Sequence, residues 1–333
     1  MKIAKLATLF LLSVSLLTLL SCGTGHDADE YYVFVSTNMR LPYWQTAKAG
    51  FLQAASQIKV RAEVVGPDTY DPKAEEQAFH DAVQQKATGI LVSAADPNLM
   101  NGEIDSAIAA GIPVITVDSD APASKRLFFI GTDNYHAGVI GGQRLAKELQ
   151  GKGNVAVFTM PEQSNLKDRL RGYRDALAAF PQIKIVRIVD IKGDSRIAFD
   201  TTGQILANEK KDKVDAFVCL EAIAGKEVGL VLSNNNIKGK VVIAMDTDPD
   251  TLEGVQNGWI AATIAQKPYS MAFVGLEMLD NLYHHKLKNL QTDWSTDSFA
   301  PIPQFVDTGS TLVDKSNVSA FVAASKSVTS GQP

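Results

Sequence analysis

The chain has 333 residues, 45% of them hydrophobic and 21% charged, with a formal net charge of −5. That length and balance exclude a disordered chain and a single small domain, and suit two folded units of about 150 residues each. The acidity offers no steering towards nucleic acid or an anionic membrane, and the two cysteines, Cys22 and Cys219, exclude a disulfide-stapled scaffold and a cysteine-rich zinc site.

Residues 1–21 read as an export signal. Lys2 and Lys5 form a positive start, Leu6 to Leu20 is almost wholly apolar, and the run is short for a membrane span. Leu19-Leu20-Ser21-Cys22 is similar to the bacterial lipobox, in which the cysteine is lipidated and becomes the first residue of the mature protein. That resemblance makes Cys22 the expected lipid attachment point and residues 22–30 a short polar tether.

Strand and helix patterns then alternate. Tyr31 to Ser36 is a buried strand, Tyr43 to Gln57 a helix, Ile58 to Gly66 a strand and Pro72 to Lys86 a helix. Gly89 to Ser93 is a strand, Leu99 to Ala110 a helix, Gly111 to Asp118 a strand and Leu127 to Gly131 a short strand. The pattern restarts with a helix over Ala137 to Leu149. Strands follow at Gly153 to Phe158, Ile183 to Ile191, Ala216 to Leu220, Val241 to Asp246 and Trp259 to Ala265. The helices between and after them cover Asp168 to Phe180, Ile197 to Lys210, Gly225 to Asn234, Leu252 to Asn257 and Pro268 to Tyr283. Pro301 to Val306 is a last strand. Short apolar runs separated by helices imply parallel sheets covered on both faces. The expected fold is therefore α/β, with two such units, or lobes, in series and a first boundary near Thr132 to Ala137. Residues 314–333 form a tail that is expected to be partly loose.

In open α/β sheets the ligand crevice lies beyond the carboxyl ends of the strands. Asn38, Asp118, Glu221 and Asp246 all stand at such ends. Each alone fits a helix cap, but four of them split across two lobes point to a cleft. Tyr43 and Trp44 open a helix just after the first strand, either as core residues or as plates for a ligand. Acidic and amide acceptors, arginine donors and flat aromatic faces suit a sugar, whose buried hydroxyls need polar partners and whose C–H faces need an apolar one.

From Tyr31 to about Val318 the chain resembles the type I periplasmic sugar-binding proteins, the ribose, galactose and allose group. The resemblance rests on Val35-Ser-Thr-Asn38 with Pro42-Tyr-Trp44, on Gly111-Ile-Pro-Val-Ile-Thr-Val-Asp-Ser-Asp120, and on Ile130-Gly-Thr-Asp-Asn134 with Gly138. It continues through Arg169-Leu-Arg-Gly172, Met245-Asp-Thr-Asp-Pro-Asp250 and Ala262-Thr-Ile-Ala-Gln266. It implies that Tyr43 and Trp44 sandwich a sugar ring from the first lobe, with Asn38 as a polar contact and Asp118 taking two hydroxyls. In the second lobe it implies Arg169 and Asp246 as sugar contacts, with Gln266 near the hinge.

Three departures from the family pattern shape the expected pocket. The family's asparagine at the end of the Phe217 strand is matched best by Glu221. The second-lobe aromatic falls near Asp194, with Arg196 two residues on, so that plate is lost or supplied from elsewhere, with Trp259 as the candidate. The loop from Asn38 to Leu41 is longer, and Arg40 is expected to enter the pocket from it. Ser119 and Asp120 stand where the family often has arginine. Such a pocket need not hold ribose and suits another pentose, a hexose or a polyol such as an inositol.

The resemblance further implies lobe closure on the ligand and delivery to an ABC permease by a monomeric, lipid-anchored, extracytoplasmic protein. It implies two Rossmann-like lobes joined by a three-segment hinge, one of residues 31–132 plus about 266–300 and the other of 133–265 plus about 301–313, with crossings near Thr132, Ala265 and Val306 to Thr308. A binding protein that reports sugar to a membrane receptor is the alternative. A repressor of the same fold would need a basic N-terminal helix-turn-helix, and no carboxylate pair is fixed as in a glycoside hydrolase, so no enzyme activity is expected. Neither a cofactor nor a metal is expected: His284 and His285 read as solvated, and His26, His80 and His136 as scattered. Cys219 reads as a small core residue.

Overall fold

The structure, a computed structural model, describes residues 25–329 apart from 28, 212, 291, 295 and 298. The expected export signal and Cys22 lie outside the described residues. No helix among the described residues is long and apolar enough to cross a membrane.

The first lobe is built on β1 (Tyr31–Val35), β2 (Arg61–Val65), β3 (Gly89–Val92), β4 (Val114–Val117), β5 (Phe129–Gly131) and β11 (Phe305–Asp307). Helices α1 (Pro42–Ile58), α2 (Pro72–Gln84), α3 (Pro97–Ala109) and α9 (Pro268–His284) belong with it. The second lobe uses β6 (Lys152–Thr159), β7 (Gln182–Asp190), β8 (Ala216–Cys219), β9 (Val241–Met245), β10 (Ala262–Ala265) and β12 (Thr311–Asp314). Its helices are α4 (Asn134–Glu148), α5 (Ser164–Leu177), α6 (Ser195–Ala207), α7 (Ala222–Asn234), α8 (Pro249–Asn257) and α10 (Val318–Thr329).

Each lobe has one six-stranded sheet, ordered β11-β5-β4-β3-β1-β2 in the first and β12-β10-β9-β8-β6-β7 in the second. All pairings are parallel except β12 on β10. Central strands β1, β3, β4, β8 and β10 are buried along their whole length, as their unbroken apolar runs require, whereas edge strand β7 is largely exposed. Proline opens α1, α2, α3, α8 and α9, where its missing N–H costs nothing, and Asp71, Asp96, Asp133, Asp194 and Asp248 cap helix starts.

Two expectations about the C-terminal part are corrected. The strand expected over Pro301 to Val306 covers Phe305–Asp307 and joins the first lobe, not the second, while β12 after it joins the second. Phe305 pairs with Phe129 in register, and their rings stack at 5.3 Å. The third crossing therefore falls between Asp307 and Thr311. The segment after Asp314 continues into α10, where buried Val318 and partly buried Phe321 pack on the second core.

Candidate functional site

The carboxyl ends of the two sheets face each other across a cleft, and the two central aspartates are set alike. Asp118 directly follows β4 and Asp246 directly follows β9, with φ of 62° and 68°. Aspartate is one of the few residues that adopt this left-handed backbone readily. Each amide donates to a carbonyl across the sheet, Asp118 to Ile130 at 3.0 Å and Asp246 to Ile264 at 2.9 Å. Both residues line a cavity with about 610 Å³ of empty space, its mouth included.

Arg169 is only 2% exposed, on the buried face of α5. Close crossing of α4 and α5 sets it there. A Cβ on Gly138 would lie 2.0 Å from the Arg169 carbonyl oxygen, and one on Gly172 2.1 Å from that of Tyr135. The guanidinium donates to the Leu220 carbonyl and, at 2.5 Å, to the Asn134 side-chain oxygen; Gln266 Oε1 lies 3.5 Å away. Gln266 donates in turn to Asp246 at 2.9 Å. Arg169 Nε and the hydroxyls of Ser93 and Ser119 are buried at the cavity wall without a protein partner.

From the first lobe, Tyr43 and Trp44 meet edge to face with ring centres 5.0 Å apart, and Trp44 also packs on Phe34. The Tyr43 hydroxyl donates to Asp118 at 2.5 Å. Burial, reinforced by the Asp118 charge, holds that phenol well above its usual range, so it keeps its proton at neutral pH. Burial also raises the Asp118 carboxyl, with Tyr43 and Arg169 opposing the shift. It pushes Asp246 up to about 7 against the pull of Arg169 and Gln266. Glu221 likewise rises to about 7, although it accepts from the Ile223 and Ala224 amides at the start of α7. Three carboxyl groups thus surround one guanidinium, an arrangement that favours a neutral partner rich in hydroxyl donors over an anion.

Eight of the sequence-predicted residues line this cavity: Asn38, Tyr43, Trp44, Asp118, Arg169, Glu221, Asp246 and Gln266. Three do not. Arg40 is 72% exposed and pairs with Asp68 at 2.6 Å. Asp120 is held away by Arg126 and by the Thr116 hydroxyl. Arg196 is 85% exposed and pairs with Asp194, which caps the same helix. In each case a nearby countercharge pairs with the side chain, and Arg196 lines a neighbouring, outer pocket with Asn38, Tyr70 and Gly193. Trp259 does not replace the missing second-lobe plate either, because it lies beside α7 and α8 with the Lys238 ammonium 3.1 Å from its ring centre.

Sequence reasoning missed Tyr70, Met160, Gln163 and Asn165. Tyr70 comes from the first lobe and packs on Gly193, beside the position of the lost plate; a Cβ on Gly193 would lie 2.6 Å from the Tyr70 Cβ. Gln163 and Asn165 sit where α5 begins after β6, the kind of strand-to-helix junction that could have marked them. The lobes also touch directly here. Ser164 donates to the Asp120 carbonyl at 2.9 Å and accepts from the Asp120 amide at 3.2 Å, while Asn165 approaches Asp118 at 3.5 Å.

Residues 32–287 match the family model described as a periplasmic binding protein domain. The xylose/arabinose-binding protein XylF of Sulfolobus acidocaldarius is 24% identical over 88% of this chain and 73% of its own length. AraP, an arabinose-binding protein from Geobacillus stearothermophilus, is 32% identical over 88% of this chain and 99% of its own, with a TM-score of 0.72. A solute-binding protein of an ABC transporter from Burkholderia graminis, solved with D-arabinose, is 26% identical over 89% of this chain and 99% of its own, with a TM-score of 0.80. By sequence and by fold, the chain belongs to the periplasmic binding protein family, in the type I branch that contains these sugar-binding relatives.

Proposed function

We propose that this chain captures a monosaccharide or polyol between its lobes and delivers it to an ABC permease, as an extracytoplasmic protein anchored through a lipid on Cys22. The observation that carries the reading is the cavity itself. Carboxylates from both lobes, a buried guanidinium with an unpartnered Nε and aromatic residues of the first lobe converge on one space. A polyhydroxylated ring would donate to Asp118 and Asp246, accept from Arg169 Nε, and rest its C–H face on Tyr43 or Trp44. A pentose is favoured, because XylF, AraP and the Burkholderia graminis protein are each an arabinose-binding protein or were solved with arabinose. Ligand touching both lobes would favour the closed arrangement, the form a permease reads.

The test is a thermal-shift panel on the full chain with D- and L-arabinose, D-ribose, D-xylose, D-galactose and myo-inositol. A bound ligand raises the midpoint by mass action. A strong shift with one sugar, released unchanged, supports capture without turnover. No shift from any of them, before or after denaturing and refolding to strip carried ligand, would overturn the sugar reading.

A further inference from the structure

A second constellation lies at the opposite end of the first lobe from the cleft. His26 and Glu30 precede β1, and Asp280 and His284 are one turn apart near the end of α9. The start of α9 adjoins Gln266 in the cleft, and a helix of 17 residues spans about 25 Å, so this cluster is remote from the proposed sugar site. His284, expected from sequence to be solvated, instead has a side chain only 28% exposed and faces the buried Glu30 carboxylate.

The four ligand-type atoms form a compact set. His26 Nδ1 lies 2.9 Å from Glu30 Oε2 and 3.3 Å from Asp280 Oδ1. His284 Nε2 lies 3.2 Å from Glu30 Oε2, 3.5 Å from Asp280 Oδ1 and 3.2 Å from His26 Nδ1. All four atoms fall within 4.8 Å of one another. A tetrahedral zinc ion with bonds of about 2.0–2.1 Å has ligand-to-ligand edges of about 3.4 Å, close to the five distances given. An ion-pair cluster explains the set less well. Hydrogens on both facing nitrogens would aim N–H groups at each other across the 3.2 Å contact, and a hydrogen on only one would leave the other's lone pair facing the carboxylates. One cation at the centre satisfies all four atoms.

The surroundings support ligation too. The Tyr32 hydroxyl donates to Asp280 Oδ1 at 3.1 Å, and the Asp27 amide donates to the other Glu30 oxygen at 2.7 Å. Outer partners of this kind orient the carboxylates of metal sites. Two imidazoles with two carboxylates match zinc better than calcium, which takes six to eight oxygens.

We propose that His26, Glu30, Asp280 and His284 form a structural zinc site that clips the segment before β1 onto the end of α9. The site uses four protein ligands and leaves no open position, so it is a fastening and not a catalytic centre. Its location ties the chain leaving Cys22 to the first lobe alone, leaving the second lobe free to move. The proposal does not rest on the sugar reading, and either can fail without the other.

The test strips the full chain with a chelator and titrates it with Zn²⁺ against a chromophoric chelator. One equivalent is expected, with affinity lowered at least about a hundredfold by His26→Ala or by His284→Ala. Either variant also leaves the buried Glu30 carboxylate one partner short, so the metal-free thermal midpoint should fall somewhat, and the diagnostic result is that the zinc-dependent rise disappears. Co²⁺ loaded into the unaltered chain should give the intense visible absorption of a tetrahedral site, a readout independent of the variants. No stoichiometric uptake, uptake unchanged in the double variant, or a weak octahedral Co²⁺ spectrum would each overturn the proposal.

Discussion

The two lobes run the same strand order and place an aspartate with left-handed backbone at the same sheet position, yet they equip the cleft differently. The first lobe supplies the aromatic residues Tyr43, Trp44 and Tyr70, and its aspartate is held by a phenol. The second supplies Arg169 and Glu221, and its aspartate is held by the hinge amide of Gln266. One fold used twice thus gives a fixed aspartate on each side, and in the proposed sugar complex the residues around it would divide the work into plate and grip. Stacking is tolerant of which hydroxyls a ring carries; a grid of hydrogen bonds is not. Selectivity should therefore reside mainly in the second lobe, and affinity should draw on both.

The harshest way to break that division is Arg169→Ala. It leaves three buried carboxyl groups without their cation and the Leu220 carbonyl and Asn134 without a donor. Loss of one partner in a buried charged network costs about 3–5 kcal/mol. Sugar affinity should fall by about a thousandfold or more in calorimetry, with a lower thermal midpoint.

Next come Asp118→Asn and Asp246→Asn, chosen because asparagine also accepts left-handed backbone. Each should weaken binding by about 2–3 kcal/mol, the range for hydrogen bonds to a charged group. The second variant also separates the lobes by pH. Asp246 titrates near 7 when folded but near its ordinary 3.8 when unfolded, and Glu221 near 7 against 4.5. Between those values the folded chain binds more protons, so these groups lower stability as pH rises from about 4 to about 7, after which their effect levels off. Asp246→Asn should accordingly raise the midpoint of the free chain at pH 8 and change it little at pH 4. Sugar hydroxyls prefer the ionised carboxylates, so parent affinity should climb through pH 7, and the variant should show a flatter profile.

Tyr43→Phe keeps the ring and removes only the donor to Asp118. A loss of about 1 kcal/mol, roughly fivefold in affinity, is expected; no change would mean that the phenol positions nothing. Smallest of all are Arg40→Ala and Arg196→Ala. Both side chains are exposed ion-pair members, and such pairs contribute about 0–1 kcal/mol. Affinity should stay within about twofold, and a large loss would mean that one of them swings into the cleft after all.

What was legible in the sequence follows a physical line. Strands buried on both faces read as continuous apolar runs, so the two-lobe architecture was visible, and a polar residue ending such a run marked Asp118, Glu221 and Asp246. Arg169 carries no such mark. It sits mid-helix among other charged residues, and only the resemblance singled it out. Arg40 and Arg196 were misplaced because a loop arginine can turn either way, and the deciding acids, Asp68 and Asp194, are weighed only in three dimensions. Tyr70, Gln163 and Asn165 come from loops and a helix start without periodicity. The histidine cluster joins residues some 250 positions apart, and nothing but the Asp280 to His284 spacing on one helix face hinted at it.

The paired hydrogen bonds between Ser164 and Asp120 reach beyond affinity. They join the lobes without touching the cavity, so their strength is available whether or not the cavity is filled. Each bond worth about 1 kcal/mol multiplies the ratio of closed to open chains about fivefold. A tighter latch slows release of a captured molecule and lengthens its dwell time, but it equally enlarges the number of empty chains in the closed form. If the chain captures a sugar as proposed, the residue at 164 would balance residence time against empty closed chains, a trade that no residue inside the cavity would set alone.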